Sequence, residues 1–111
     1  MTLCVTAYLR NTDGTIEDLT EIGSPESLAG AERWRHDFYG SEKMKSLGAT
    51  LLPSLSREDI WAEGIHELDM LESEINVALL HFSETSYQHR LGNILNAIKV
   101  ARTQGSGVHI G

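Results

Sequence analysis

The residues of this 111-residue chain with the most chemistry to offer are five histidines, one cysteine and two tryptophans. His36, His66, His81, His89 and His109 are the candidate metal ligands. His66-Glu67 begins like the zinc-protease pattern H-E-x-x-H, but Met70 stands where the second imidazole would have to project from the same helix face. The single thiol, Cys4, excludes a multi-thiolate zinc site within one chain and any intramolecular disulfide. As a nucleophile Cys4 would need a neighbouring base and an opening to solvent; in an N-terminal strand it reads instead as a small packed side chain. Neither G-x-S-x-G nor a Gly-rich phosphate loop nor a deaminase-type H-x-E…C-x-x-C pattern occurs. Gly105-Ser-Gly107 follows a helical pattern rather than opening one, so it stops a helix and cradles no phosphate. The adjacent acids Glu17/Asp18 and Glu58/Asp59 have the chemistry of a general acid and base, but neighbours on a strand point to opposite faces. The expectation is therefore a non-catalytic protein without metal or cofactor. Trp34 and Trp61 read as core residues; the alternative for Trp61, which follows Glu58-Asp59-Ile60, is partial exposure beside an acidic patch as a partner anchor.

Charge narrows the choice of partner. Sixteen acids against nine lysines and arginines give a net charge of −7. That balance argues against nucleic acid and anionic membranes, which are bound through basic patches, and favours encounter with a basic partner. Glu63, Glu67, Asp69, Glu72 and Glu74 lie in a stretch, 63–84, that contains no Lys or Arg. Together with Glu58, Asp59 and Trp61 they form the candidate partner-binding surface, expected to be unpaired and turned outward. The apolar run after Met1 is interrupted by Thr2, Thr6 and Arg10, and no stretch reaches the ~20 apolar residues of a bilayer span, so a cytoplasmic protein is expected.

These residues must be positioned by a small α+β fold, a single domain over 1–111. Leu68, Leu71, Ile75, Ala78 and Phe82 recur at spacings of three and four along Ile65–Phe82. Tyr87, Leu91, Ile94, Ile98 and Ala101 repeat the rhythm over Tyr87–Arg102, and Ser83–Ser86 joins the two as a helical hairpin. Thr85 and Gln88 fit a capping box at the second helix. Val77, Leu79 and Leu80 lie outside the first seam and are expected on the sheet, while Met70, Val77 and Leu80 alternatively make a dimer stripe.

Thr2–Arg10 alternates as a half-buried strand, Asn11–Gly14 turns, and Thr15–Ile22 returns as an acidic edge strand. Ser24-Pro25 begins a helix to Tyr39 with Leu28, Ala31, Trp34 (or Arg35) and Phe38 inward, and Ser41 caps a second, Glu42–Leu47, stopped by Gly48. Ala49–Leu55, broken by Pro53, reads as an edge strand or extended connection. Ile60–Glu63 and Val108–Ile110 read as short strands, the latter beside the first strand. The result is a mostly antiparallel sheet, from an N-terminal hairpin and a C-terminal strand, packed by the long helical hairpin and one or two shorter helices.

The layout resembles small bacterial immunity proteins of polymorphic and contact-dependent toxin systems. The features that carry the likeness are the Asn11–Gly14 hairpin, Leu47-Gly-x-x-Leu-Leu-Pro53, Glu67-Leu-Asp-Met-Leu-Glu72, and Arg90-Leu-Gly-Asn-Ile94 … Ala101 … Gly107-Val-His-Ile-Gly111. The resemblance implies stoichiometric binding of a cognate toxin, often at a basic nuclease cleft, by a monomer or homodimer. It transfers no functional residue. A self-associating structural or regulatory protein is the alternative.

Overall fold

The computed structural model describes residues 2–20 and 24–111. Among them five strands form one antiparallel sheet: β1 (Thr2–Arg10), β2 (Ile16–Asp18), β3 (Leu28–Ala31), β4 (Ile60–Glu63) and β5 (Gly107–Ile110). The helices are α1 (Glu42–Ser46), α2 (Leu51–Ser54), α3 (Gly64–His81) and α4 (Thr85–Gln104). The fold is α+β, as the sequence pattern requires.

The sheet runs in the order β2-β1-β5-β4, with β3 paired to the first residues of β1. Asn11–Gly14 closes the first hairpin, Gly14 N–H donating to the Asn11 carbonyl, and β2 returns as a fully exposed edge. The return strand is shorter than its expected span, and residues 21–22 lie outside those described. The last strand does lie beside the first: Val5 faces Ile110 and Ala7 faces Val108, while on its other side β5 pairs Ile110 with Ile60 and Val108 with Ala62. Period-two alternation puts all these side chains on one face, where they are buried.

α4 lies across β1, β3 and β5, and α3 packs on α4 and β4. Both seams are interior: Leu71, Ile75, Ala78, Leu91, Ile94 and Ile98 are fully buried. Asn93, also buried, donates its side-chain amide to the Pro25 and Leu28 carbonyls and so fastens α4 to the approach of β3. Because α4 covers the sheet, α3 has only one face left to bury. Leu79 is partly buried, but Val77 and Leu80 point to solvent rather than to the sheet.

Three local expectations are overturned, each by a tertiary contact. The helix from Pro25 to Tyr39 is instead a single 3-10 turn (Pro25–Ser27), strand β3 and a π-helical turn (Arg35–Tyr39). The start of β1 takes Leu28–Ala31 as a strand partner, and Gly30 adopts φ +121°, outside the right-handed helical region. The Trp34 indole lies directly over Gly30, where a Cβ would approach it to 2.2 Å. Ala49–Leu55 is not extended either: 51–54 is a helical turn because the Glu74 carboxylate accepts from the backbone N–H groups of Thr50, Leu51 and Leu52 and from the Thr50 hydroxyl. Pro53, in the first turn, has no N–H to leave unpaired. Finally, α4 begins one residue early, with Glu84 in the cap position, so Thr85 and Gln88 form no capping box. Gln88 instead donates to the Leu79 and Phe82 carbonyls and closes the end of α3.

Candidate functional site

With one face of the sheet under the helices, alternation sends Thr6, Tyr8 and Arg10 of β1, Trp61 and Glu63 of β4 and His109 of β5 to the other. Register then decides which of them meet. His109 is paired on one side with Thr6 and on the other with Trp61; Gly107 lies between Tyr8 and Glu63. Gly107 has no side chain to separate its neighbours, and a Cβ there would come within 2.7 Å of the Tyr8 hydroxyl oxygen. The phenol therefore reaches across β5 and donates to Glu63 Oε1 at 2.8 Å.

The same carboxylate accepts from Arg10 Nε at 2.9 and 3.1 Å. Trp61 packs its ring edge-to-face against Tyr8, with centroids 5.5 Å apart, and stacks on His109 at 3.9 Å and 20°. His109 Nε2 lies 3.0 Å from Asp59 Oδ2, and Arg35 Nη2 donates to the other Asp59 oxygen at 2.7 Å. Arg35 also donates to the Leu55 carbonyl and pairs with Glu32, so the network reaches the loop before β4. Trp61 nevertheless keeps 49% of its surface exposed, whereas Tyr8 beneath it keeps 1%.

The charges have matching consequences. Hydrogen bonding from Arg35, and then from His109, holds the Asp59 carboxyl below the usual carboxylate range. The Tyr8 hydroxyl and then Arg10 do the same for Glu63. Burial, reinforced by Glu63, pushes the Tyr8 phenol up to about 12. Chemically the face offers an immobilised half-exposed indole in a rim of paired charges, which is the make-up of an interface anchor. Its Asp59–His109 pair also orients an imidazole.

The sequence-derived surface is split in two. Asp59, Trp61 and Glu63 join the open sheet face, with Glu58 exposed at its edge. Glu67, Asp69, Glu72 and Glu74 lie along α3, and the expectation that they are unpaired is corrected: each carboxylate takes a hydrogen bond from the chain itself. Arg102, in the last turn of α4, bridges Asp69 (2.6 Å) and Glu72 (3.2 Å). Glu74 caps α2, and Glu67 accepts from the Glu63 N–H. The missing cation came from the neighbouring helix, beyond the reach of a window along the sequence.

Tyr8, Arg10 and Arg35 are site residues that sequence reasoning passed over, and His109 was named only as a candidate metal ligand. For the first two and His109 the signal existed: alternation along β1 and β5 puts them on the face opposite the helices, once Trp61 is paired beside β5. Arg35 carried no such signal, because it lies in the π-helical turn that replaced an expected helix. Of the other histidines, His36, His66, His81 and His89 are all exposed. Among the described residues no three His, Cys, Asp or Glu side chains gather as metal ligands, and no helix is long and apolar enough to cross a membrane. Comparison with protein-family models, curated proteins and solved structures finds no match to this chain.

Proposed function

We propose that this chain is a non-catalytic binding protein that covers a basic protein partner, in the manner of an immunity protein neutralising a nuclease-type bacterial toxin. The observation that carries the reading is Trp61: a large aromatic side chain half in solvent, yet fixed by His109 and Tyr8. An anchor already held in place loses little rotamer entropy when a partner closes over it. Glu58, Asp59 and Glu63 surround it, and the chain's net charge of −7 supplies a long-range field that speeds the approach of a cation. Contact is centred on the sheet face; the α3 carboxylates, already engaged, contribute field rather than contacts.

The test is to express the chain with the product of the adjacent gene and measure association kinetics at several salt concentrations. Salt-sensitive association is expected, with Trp61→Ala weakening the complex by about 2 kcal/mol, close to thirtyfold, mainly through faster dissociation. A neighbouring toxin that the chain neither binds nor inhibits would refute the reading, as would a complex indifferent to Trp61→Ala.

A further inference from the structure

Between the first turns of α4 and the segment 28–34 lies an open cavity of about 360 Å³, lined by Leu28, Gly30, Arg33, Trp34, Ser86 and Arg90. Ser86 and Arg90 stand four residues apart, on one face of α4, while Arg33 comes from the connection after β3. The Trp34 indole makes a fixed wall. It lies on Gly30 and packs edge-to-face against Tyr87 at 4.9 Å and Phe38 at 5.4 Å. A wall held in this way is formed before any ligand arrives, so little ordering is left to oppose binding.

The charge of this cavity is the reverse of the chain's. Arg10, Arg35 and Arg102 are each claimed by a carboxylate, yet the guanidinium groups of Arg33 and Arg90 make no hydrogen bond or ion pair among the described residues. No acidic residue lines the cavity. Glu32, beside Arg33 in sequence, is paired with Arg35, and Glu84, at the cap position of α4, makes no side-chain hydrogen bond to the helix start. The opening N–H groups of α4 thus lack a side-chain cap, and the positive end of a 20-residue helix adds to the two arginines. The net charge of −7 repels an anion only from a distance. At about 0.15 M salt that repulsion is screened within about 8 Å, and the cations lining the cavity decide.

Two guanidinium groups call for two negative charges. A phosphomonoester carries about −1.5 to −2 near neutral pH and offers three acceptor oxygens, enough for both arginines and the Ser86 hydroxyl. A single carboxylate would leave one guanidinium unpaired. The indole and Leu28 give the remainder of such a molecule an apolar bed, and the cavity has the size of a small-ligand site. We propose that this cavity binds a small phosphomonoester with a flat apolar body, its phosphoryl group held by Arg33, Arg90 and Ser86 and its body against Trp34. The site stands apart from the binding role given to Trp61.

Titration of the isotope-labelled chain with phenyl phosphate in about 0.15 M salt, followed by amide and arginine Nε–H chemical shifts, tests it. The signals of Arg33, Trp34, Ser86 and Arg90 should move together and saturate, with a dissociation constant on the order of 100 micromolar for a ligand of this size. Inorganic phosphate should bind at least about tenfold more weakly, and phenol should leave these signals in place. Arg33→Gln and Arg90→Gln should each weaken binding at least about tenfold, and Arg90→Lys less. Arg57→Gln, outside the cavity, and Trp61→Ala should leave the affinity unchanged. Neither Arg33 nor Arg90 holds a partner in the fold, so circular dichroism and thermal unfolding should not change in their variants. The absence of saturable shifts up to about 10 mM phenyl phosphate overturns the inference, and so does binding that survives both glutamine substitutions. Inorganic phosphate binding as tightly as phenyl phosphate would overturn the assigned body. A phosphotyrosine peptide binding about a hundredfold more tightly would overturn the small-molecule assignment in favour of a phosphorylated protein.

Discussion

The open sheet face and the outer face of α3 both leave apolar surface in water, but they do so in opposite ways. Around Trp61 every neighbour is committed: a stacked imidazole, a phenol, and two carboxylates each held by an arginine. Along α3 the charged residues have withdrawn into contacts with α2 and α4, and Met70, Val77 and Leu80 stand without support. Exposure alone does not distinguish the two. The difference is whether other interactions fix the exposed group, and it determines what each substitution should cost.

The largest effect is expected at the boundary of the second region. Glu74→Ala removes the acceptor of four hydrogen bonds from 50–52, so urea unfolding should show a loss of about 2 kcal/mol, and Glu74→Gln a smaller one. If Glu74→Ala were neutral, the carboxylate would be free for a partner and the contrast between the two faces would vanish. Trp61→Ala comes next, at about 1–2 kcal/mol of stability for two ring contacts in a partly wet setting. Tyr8→Phe should cost about 1 kcal/mol, because Glu63 keeps Arg10 when the phenol is lost.

Acid titration separates the regions without mutation. The Asp59 and Glu63 carboxyls sit lower in the folded chain than in the unfolded one, so the unfolded chain takes up protons first. Their contribution is complete above the ordinary carboxylate range and is lost as pH falls through it and below. Both side chains are more than a third exposed, so solvent screening keeps the contribution under about 1 kcal/mol. Trp61 fluorescence should report the change, since the tryptophan lies within the network. Tyr8 acts at the other end of the scale: its raised phenol holds its proton in the fold, so its stabilisation is intact below pH 10 and fades between there and about 12. A phenolate absorbance titration should show this tyrosine ionising late. Smallest of all, Leu80→Ser should change stability by no more than about 0.5 kcal/mol, the side chain being 82% exposed. A larger loss would mean that this side of α3 is supported after all.

What could be read from the chain divides along the same physical line. Patterns enforced by a single element were legible: the alternation of β1, the Asn11–Gly14 turn, the two seams and the Ser41 cap, whose hydroxyl accepts from the Met44 N–H. Features decided by a distant residue were not. Leu28–Ala31 has helical spacing, but the first residues of β1 turn it into a strand. Leu51–Ser54 becomes helical only because a carboxylate more than twenty positions away caps it. The acidic stretch of α3 contains no cation of its own, and the arginine that bridges Asp69 and Glu72 belongs to α4. Trp61 was legible as one of two alternatives, and its bracing by His109 needed the pairing of β4 with β5.

That pairing bears on how the molecule is made. Gly107–Ile110 is an inner strand, and Ile60–Glu63 reaches β1 only through it. β1 has two local partners, β2 and β3, but its central neighbour β5 is the strand most distant from it in sequence. Contacts of such separation carry a large loop-closure cost before they return anything, which predicts that β5 joins the sheet late in folding. A chain cut back to residue 106 should hold its helical hairpin as a loose, protease-sensitive arm, and a chain that includes β5 should hold it locked.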